Sequence, residues 1–295
     1  MEREKNMRFL AIVIAVFYLT ASVALGNEGK ISPGPGAAFF HRGHYAEAYQ
    51  ALWPSLQAGD PEAAFYSLII RRNGLDGRAQ ADQREMDAIW KILADKADDM
   101  RRGLRNRLVD DEVKDAYRCA LAQLEYFGEA GAPEWPPVTS MERARRLRRS
   151  LSILAPAAGR FTPAMNFRAY LDCEDKYYKG AFKHIIKAAE KGDFLAMGNL
   201  AWLYREGLGT DKYDLRAAHW ARQGCDSTPP VARNLNEVGY CYESGRGVSQ
   251  DMIEAAVWYE KGAKQGYPSA VENSKRLKNK GAGGSSPALD NRILF

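Results

Sequence analysis

Four histidines and four cysteines are the residues of this 295-residue chain best suited to metal or nucleophilic chemistry, and their spacing serves neither. His41 and His44 are separated by Arg42 and Gly43, with no third histidine and no carboxylate cluster near them in sequence. A zinc site takes three or four such ligands, so two surface histidines are the simpler reading. Cys119, Cys173, Cys225 and Cys241 contain no Cys-x-x-Cys pair, which leaves a zinc ribbon or a thioredoxin-like motif without support. Asp172, Glu174 and Asp175 bracket Cys173 but lack the spacing and central glycine of a calcium loop. There is no Gly-x-Ser-x-Gly, no His-Glu-x-x-His and no phosphate-binding Gly-Lys-Ser/Thr. The chain therefore reads as a non-enzyme with no catalytic residue, metal ligand or cofactor. A cell-wall hydrolase using Asp172, Glu174 or the two N-terminal histidines is the rival of a different class.

The patterned charge lies elsewhere. Residues 143–149 hold Arg143, Arg145, Arg146, Arg148 and Arg149 without an acid. On a helix, Arg145 and Arg149 share one face and Arg143 and Arg146 another. Guanidinium forks at such spacing suit carboxylates or anionic headgroups. Trp135, set among Pro133, Pro136 and Pro137, offers an aromatic anchor to a partner. The net charge of +5 is too mild to demand nucleic acid. With 46% hydrophobic and 27% charged residues, the chain is neither disordered nor a polytopic membrane protein.

Residues 1–26 read as a secretory signal: Arg3, Lys5 and Arg8, an uncharged apolar run over 9–25, and small residues at Ser22, Ala24 and Gly26. Seventeen residues are short of the roughly 20 that a spanning helix needs. A secreted, periplasmic location is expected. In an oxidising compartment four cysteines are compatible with disulfides in three full pairings, among which the sequence does not choose, or with buried thiols.

Internal repetition is the strongest signal. Tyr204 and Tyr242, Gly207 and Gly245, Gly209 and Gly247, Ala217 and Ala255, and Trp220 and Trp258 all sit 38 residues apart. One unit upstream, Ala181, His184, Lys187 and Gly192 match Ala255, Trp258, Lys261 and Gly266, which makes His184 a packing residue in a tryptophan's place. Within a unit, Ala196, Leu200, Leu203 and Tyr204 fall at i, i+4, i+7 and i+8, and Ala255, Trp258, Tyr259 and Ala263 at i, i+3, i+4 and i+8. Each unit is two helices joined by Gly-x-Gly, the first glycine ending a helix in a left-handed conformation. Asp251 and Glu254 suit a cap for the second helix, whereas Tyr213 occupies the matching place one unit earlier. A single pair cannot bury its stripe and stacked pairs can. The expected fold is all-α, an α-solenoid of stacked helix-turn-helix repeats.

The pattern A-x3-L-x3-Y-x2-G-x-G followed by A-x2-W-Y-x-K-x-A-x2-G resembles the Sel-one-like repeat, a relative of the tetratricopeptide repeat. The likeness is specific over residues 181–272. Residues 44–77 resemble an opening half-repeat, with Arg71 in the tyrosine's place and the loop Gly74-Leu75-Asp76-Gly77 one residue too long. Residues 164–180 lack the Gly-x-Gly loop. The expected organisation is a signal at 1–26, degenerate repeats at 37–130, a Pro-rich loop at 131–139 and irregular repeat helices at 140–180. Well-formed repeats follow at 181–280 and a flexible tail at 281–295. Residues 82–128 are read as one or two long helices ending at Gly128.

The resemblance implies a protein that binds another protein. First-helix residues outside the core stripe, Asn199, Trp202, Glu237 and Tyr240, are the expected lining of the inner groove. The roles similar solenoids fill are neutralising a secreted antibacterial toxin, such as a type VI lipase, as an immunity protein, restraining an envelope signalling or exopolysaccharide system, and scaffolding envelope assembly. A membrane surface contacted through the arginine run is a further option, not a requirement.

Overall fold

An isolated helix pair cannot hide its apolar stripe, and this chain solves the problem by stacking pairs along its length. The computed structural model describes residues 32–78, 81, 83–128 and 140–279. They form α1 (Pro35–His41), α2 (Tyr45–Gln57), α3 (Pro61–Asn73), α4 (Gln83–Asp95), α5 (Ala97–Arg105), α6 (Asp111–Phe127) and α7 (Ser140–Leu154). The second half follows with α8 (Thr162–Glu174), α9 (Tyr178–Glu190), α10 (Phe194–Glu206), α11 (Asp214–Gln223), α12 (Ala232–Ser244), α13 (Met252–Lys264) and α14 (Pro268–Lys278). Among the described residues there is no sheet, only an isolated parallel bridge between His44 and Thr228. The fold is an all-helical solenoid. The segments at 1–31, 129–139 and 280–295, where the signal, the Pro-rich loop with Trp135 and the tail are expected, lie outside the described residues.

Alternate helices form the inner row. Helix α3 packs on α6, α6 on α8, α10 on α12, and α12 on α14. Helices α10 and α12 are buried along almost their whole length, while α11 and α13 bury only one side. The repeat positions read from sequence do the packing: Tyr204, Ala217, Ala255 and Trp258 are buried, and Trp220 and Tyr242 border the same clusters.

Local chemistry sets the helix ends. Asp60, Asp193 and Asp251 accept backbone N–H bonds from Ala63, Ala196, and both Ile253 and Glu254, which satisfies donors that helix starts leave open. Tyr213 precedes α11 with no side-chain cap. In the Gly-x-Gly loops the first glycine ends the helix at φ +70° (Gly207) and +65° (Gly245). The second is required for close approach. A Cβ on Gly209 would lie 2.1 Å from the carbonyl oxygen of Tyr178, and one on Gly247 2.3 Å from that of Asp214. Each loop thus rests on the first turn of the preceding outer helix. Between α8 and α9 no glycine is available, and Lys176 takes the left-handed conformation at φ +59°.

Residues 83–127 hold three helices, not one or two. The acidic and basic blocks there are the two ends of the short helix α5, with Asp98 and Asp99 in its first turn and Arg102 and Arg105 in its last. That order matches the helix dipole. Asn106 leaves α5 with an extended backbone and Asp110 caps α6 through the Glu112 amide.

All four cysteines are free thiols. Burial pushes the thiols of Cys173, Cys225 and Cys241 up to about 12, and that of Cys119 also upward. The disulfide option is not used.

The superhelix closes around residues 41–45. The imidazole of His41 lies 3.1 Å from both the Tyr66 hydroxyl and a carboxylate oxygen of Glu112 in the first turn of α6, with its ring against Phe161 at the start of α8. Gly43 faces the ring of Phe194 at the start of α10. The Thr228 amide, in the loop leading to α12, donates to Gly43 at 2.8 Å. One hydrophobic cluster runs from Ala37 to Leu171 and takes in Leu195 and Val231.

Candidate partner-binding surface

That closure changes which residues face outward. Asn199, Trp202, Glu237 and Tyr240 all lie on the inner row, between 0 and 8% exposed. They stitch one repeat to the next instead of lining an open wall. Asn199 accepts from Arg233 at 2.7 Å, a salt bridge joins Arg205 on α10 to Glu237 on α12, and the Arg205 guanidinium lies 5.3 Å from the Tyr240 ring. The next junction repeats the device, with Arg276 of α14 donating to both carboxylate oxygens of Glu243 and Asn273 donating to Asn236 at 2.9 Å. Buried ion pairs of this kind persist when geometry and further hydrogen bonds offset desolvation. Periodicity placed these residues on the inner helices; it carried no information on how tightly the superhelix winds.

The arginine run on α7 divides by partner. Arg143 pairs with Glu174 of α8 at 2.5 Å, Arg146 with Glu142 one turn away at 3.1 Å, and Arg149 with Glu125 of α6 at 3.3 Å. Arg143 and Arg149 fasten α7 to its neighbours, and Arg146 pairs within α7. Arg145 and Arg148 are exposed and have no ion pair with any described residue. They stand at i and i+3, so their guanidinium groups point to one side. Met141, four residues before Arg145, is 79% exposed and extends the same outward stripe. Arg148 was visible in the run, but only its neighbours' acid partners single it out.

The remaining candidates are absorbed into packing. His44 ends the α1–α2 turn and lies 3.9 Å from Glu47. His184 is pulled down to about 4 by burial and by Arg168, Lys183 and Lys187, which keeps it neutral beside Asp172 at 4.0 Å. Asp172 pairs with Arg168, and Glu174 accepts from Tyr126 and Arg143. Among the described residues no group of three or more His, Cys, Asp or Glu is arranged to hold a metal ion. A cavity of about 530 Å³ opens between the α2–α3 turn and α5, lined by Lys96, Asp99, Arg102, Asn106 and Tyr117. None of the histidines, nor Asp172 or Glu174, reaches it. Among the described residues no helix is long and apolar enough to cross a membrane.

The Sel1 repeat model matches residues 177–193, 195–228 and 235–267, the three units whose loops and stripes are described above. The likeness to Sel1 repeats is confined to these stretches, less than half of the chain. The Sel1 units begin with α9 and run to the turn before α14, and the helices upstream continue the same stacking without the motif. The fold is similar to that of a Sel1 repeat protein from Oxalobacter formigenes, at 19% identity and a TM-score of 0.49 over 85% of this chain and 90% of that one. It is also similar to a protective antigen of uropathogenic Escherichia coli with an SLR fold, at 17% identity and a TM-score of 0.46 over 80% of this chain and 52% of that one. No curated protein matches the sequence. The stacked repeats form a Sel1/TPR-like protein–protein interaction solenoid.

Proposed function

We propose that the chain is a secreted, periplasmic partner-binding protein whose partner is an acidic protein surface docked on the outer face of α7. The observation that carries this is the division of the arginine run. Three of its five arginines are neutralised by acids of the chain, and Arg145 and Arg148 are left exposed on one side of a helix anchored at both flanks. Paired guanidinium groups bind carboxylates in fork geometry with fixed direction, and an anchored helix presents them with little ordering cost. The signal-like residues 1–26 support an envelope location. Within that frame the role is immunity: one-to-one neutralisation of a secreted antibacterial toxin of the type VI lipase class. A solenoid with irregular early repeats suits one dedicated partner.

The test is a contact-dependent competition in the native host. A deletion strain should be killed by its parent, rescued by the wild-type gene, and not rescued by the Arg145→Glu/Arg148→Glu double variant expressed at the same level. Normal survival of the deletion strain removes the immunity role. Envelope signalling or exopolysaccharide output altered in the same strain then identifies the regulatory role instead.

A further inference from the structure

The cavity between the α2–α3 turn and α5 has a volume of about 530 Å³, within the range of roughly 300–1,000 Å³ that small-ligand sites occupy. Its two walls differ in charge. The turn side carries one ionisable residue, Asp60. That carboxylate caps α3 through the Ala63 amide at 2.7 Å and has no ion pair with a described residue. Burial raises its carboxyl, against the amides of Ala63 and Glu62 and the charge of Lys96 across the cavity. The α5 side carries two cations and one acid. Asp99 lies 3.4 Å from Lys96 and also pairs with Arg102. One wall is therefore negative and the other positive. Tyr117 of α6 lies between them and is 9% exposed. Helix α5 presses on its ring, since a Cβ on Gly103 would lie 2.7 Å from it. The Tyr117 hydroxyl forms no hydrogen bond with a described residue. Burial, then the charges of Asp60, Glu62 and Asp99, push it up to about 12, so it keeps its proton.

We propose that this cavity binds a short peptide with both ends free, its ammonium on Asp60 and its carboxylate between Lys96 and Arg102. Asp60 is an anion partly withdrawn from water with no cation paired to it, so an ammonium there gains a charge-assisted hydrogen bond. Lys96 and Arg102 share a single acid and keep donors for a second carboxylate. The Tyr117 hydroxyl between them has a proton to give and lone pairs to accept, which suits a peptide group. Opposite charges on the two walls of a cleft orient a dipolar ligand. A simple anion in the cavity would meet Asp60 and Asp99, and a simple cation would meet Lys96 and Arg102. A molecule with a positive and a negative end is matched by both walls, and the terminus of a long chain brings only one of the two. The cavity shares no residue with the α7 face, and neither reading needs the other.

The test is calorimetric titration of the purified protein with trialanine, then with its N-acetylated and its C-amidated forms. The expected result is saturable one-to-one binding that either cap weakens about tenfold or more. Asp60→Asn removes the charge and keeps the helix cap, because asparagine caps as well as aspartate. It should weaken trialanine about tenfold and leave the N-acetylated form unaffected. Arg102→Gln should weaken trialanine and leave the C-amidated form unaffected. Tyr117→Phe should weaken trialanine several-fold with an unchanged melting curve, since the hydroxyl has no partner to lose. Absence of trialanine binding at millimolar concentration overturns the proposal. So does binding indifferent to both caps, because the two charged ends then play no part. If Asp60→Asn weakens free and N-acetylated peptide equally, the ammonium does not sit on Asp60 and the assignment of the walls fails.

Discussion

The backbone amide of Tyr45 donates to the carbonyl oxygen of Thr228 at 2.9 Å, joining residues 183 positions apart. With the Thr228-to-Gly43 bond beside it, this contact converts an open stack of helix pairs into a closed one. The turn between α1 and α2 sits where the starts of α6, α8 and α10 and the loop to α12 converge. The inner helices are therefore covered, and the surfaces left for partners are outer ones.

Gly43 is the most demanding position in that closure. It has φ +75°, and a Cβ there would lie 2.2 Å from the Phe194 ring, whereas Gly59 at φ +76° has nothing within 4 Å. Gly43→Ala is expected to cost about 3 kcal/mol, combining left-handed strain with overpacking, and Gly59→Ala about 1 kcal/mol from strain alone. Urea denaturation of the two variants checks this. Equal losses would mean that the ring contact contributes nothing.

Glu62 gives the protein a built-in pH dependence. Burial, then the charges of Asp60, Glu112 and Asp110, raise its carboxyl from near 4.5 to about 8, against one opposing bond from the Gly34 amide. His41 faces Glu112 in the same junction. Because the folded value lies above the unfolded one, the folded state holds a proton that the unfolded state has released. Stability from this group is full below about 4.5 and declines as pH rises towards 8, by on the order of 3–5 kcal/mol. Glu62→Gln should flatten that decline and raise the melting temperature at pH 8 while leaving it unchanged at pH 4. A parallel decline in the variant would remove Glu62 as its cause.

The Arg205–Glu237 pair is almost wholly enclosed, each side chain 3% exposed. Arg205→Met leaves the buried Glu237 carboxylate without the guanidinium and is expected to cost about 3–5 kcal/mol, and Glu237→Leu costs less, because Arg205 keeps its 2.8 Å pair with Glu206. The double variant Arg205→Met/Glu237→Leu should recover much of that loss. Thermal unfolding of the two singles and the double forms the cycle. Additive losses would show that the pair is not coupled.

The thiols supply a chemical check on the packing. With all four cysteines free and their thiols pushed up by burial, the native protein should react slowly with a thiol reagent at pH 8. In denaturant, without reductant, four thiols should titrate. Two or none would mean that disulfides form in the mature protein.

Local sequence determined a great deal of this molecule. The 38-residue spacing of Tyr204, Gly207, Gly209, Ala217 and Trp220 with their counterparts set the helix pairs and their loops. The capping aspartates set the helix starts, because each of these features acts within one or two turns of chain. The break between α4 and α5 was harder to read, since a charge block looks the same inside one long helix as at the two ends of a short one. What lay beyond sequence was the winding of the stack. Whether Asn199 and Glu237 face a groove or a neighbouring helix depends on small rotations summed over many repeats, and here the bond between Tyr45 and Thr228 fixes their total. The arginines show the same limit: five guanidinium groups are equivalent in the run 143–149. Glu142 pairs with Arg146 along α7 itself, and only the placement of Glu125 and Glu174 around α7 decides which two have no acid partner among the described residues. Periodicity fixes what each helix buries, and long-range closure fixes what remains exposed.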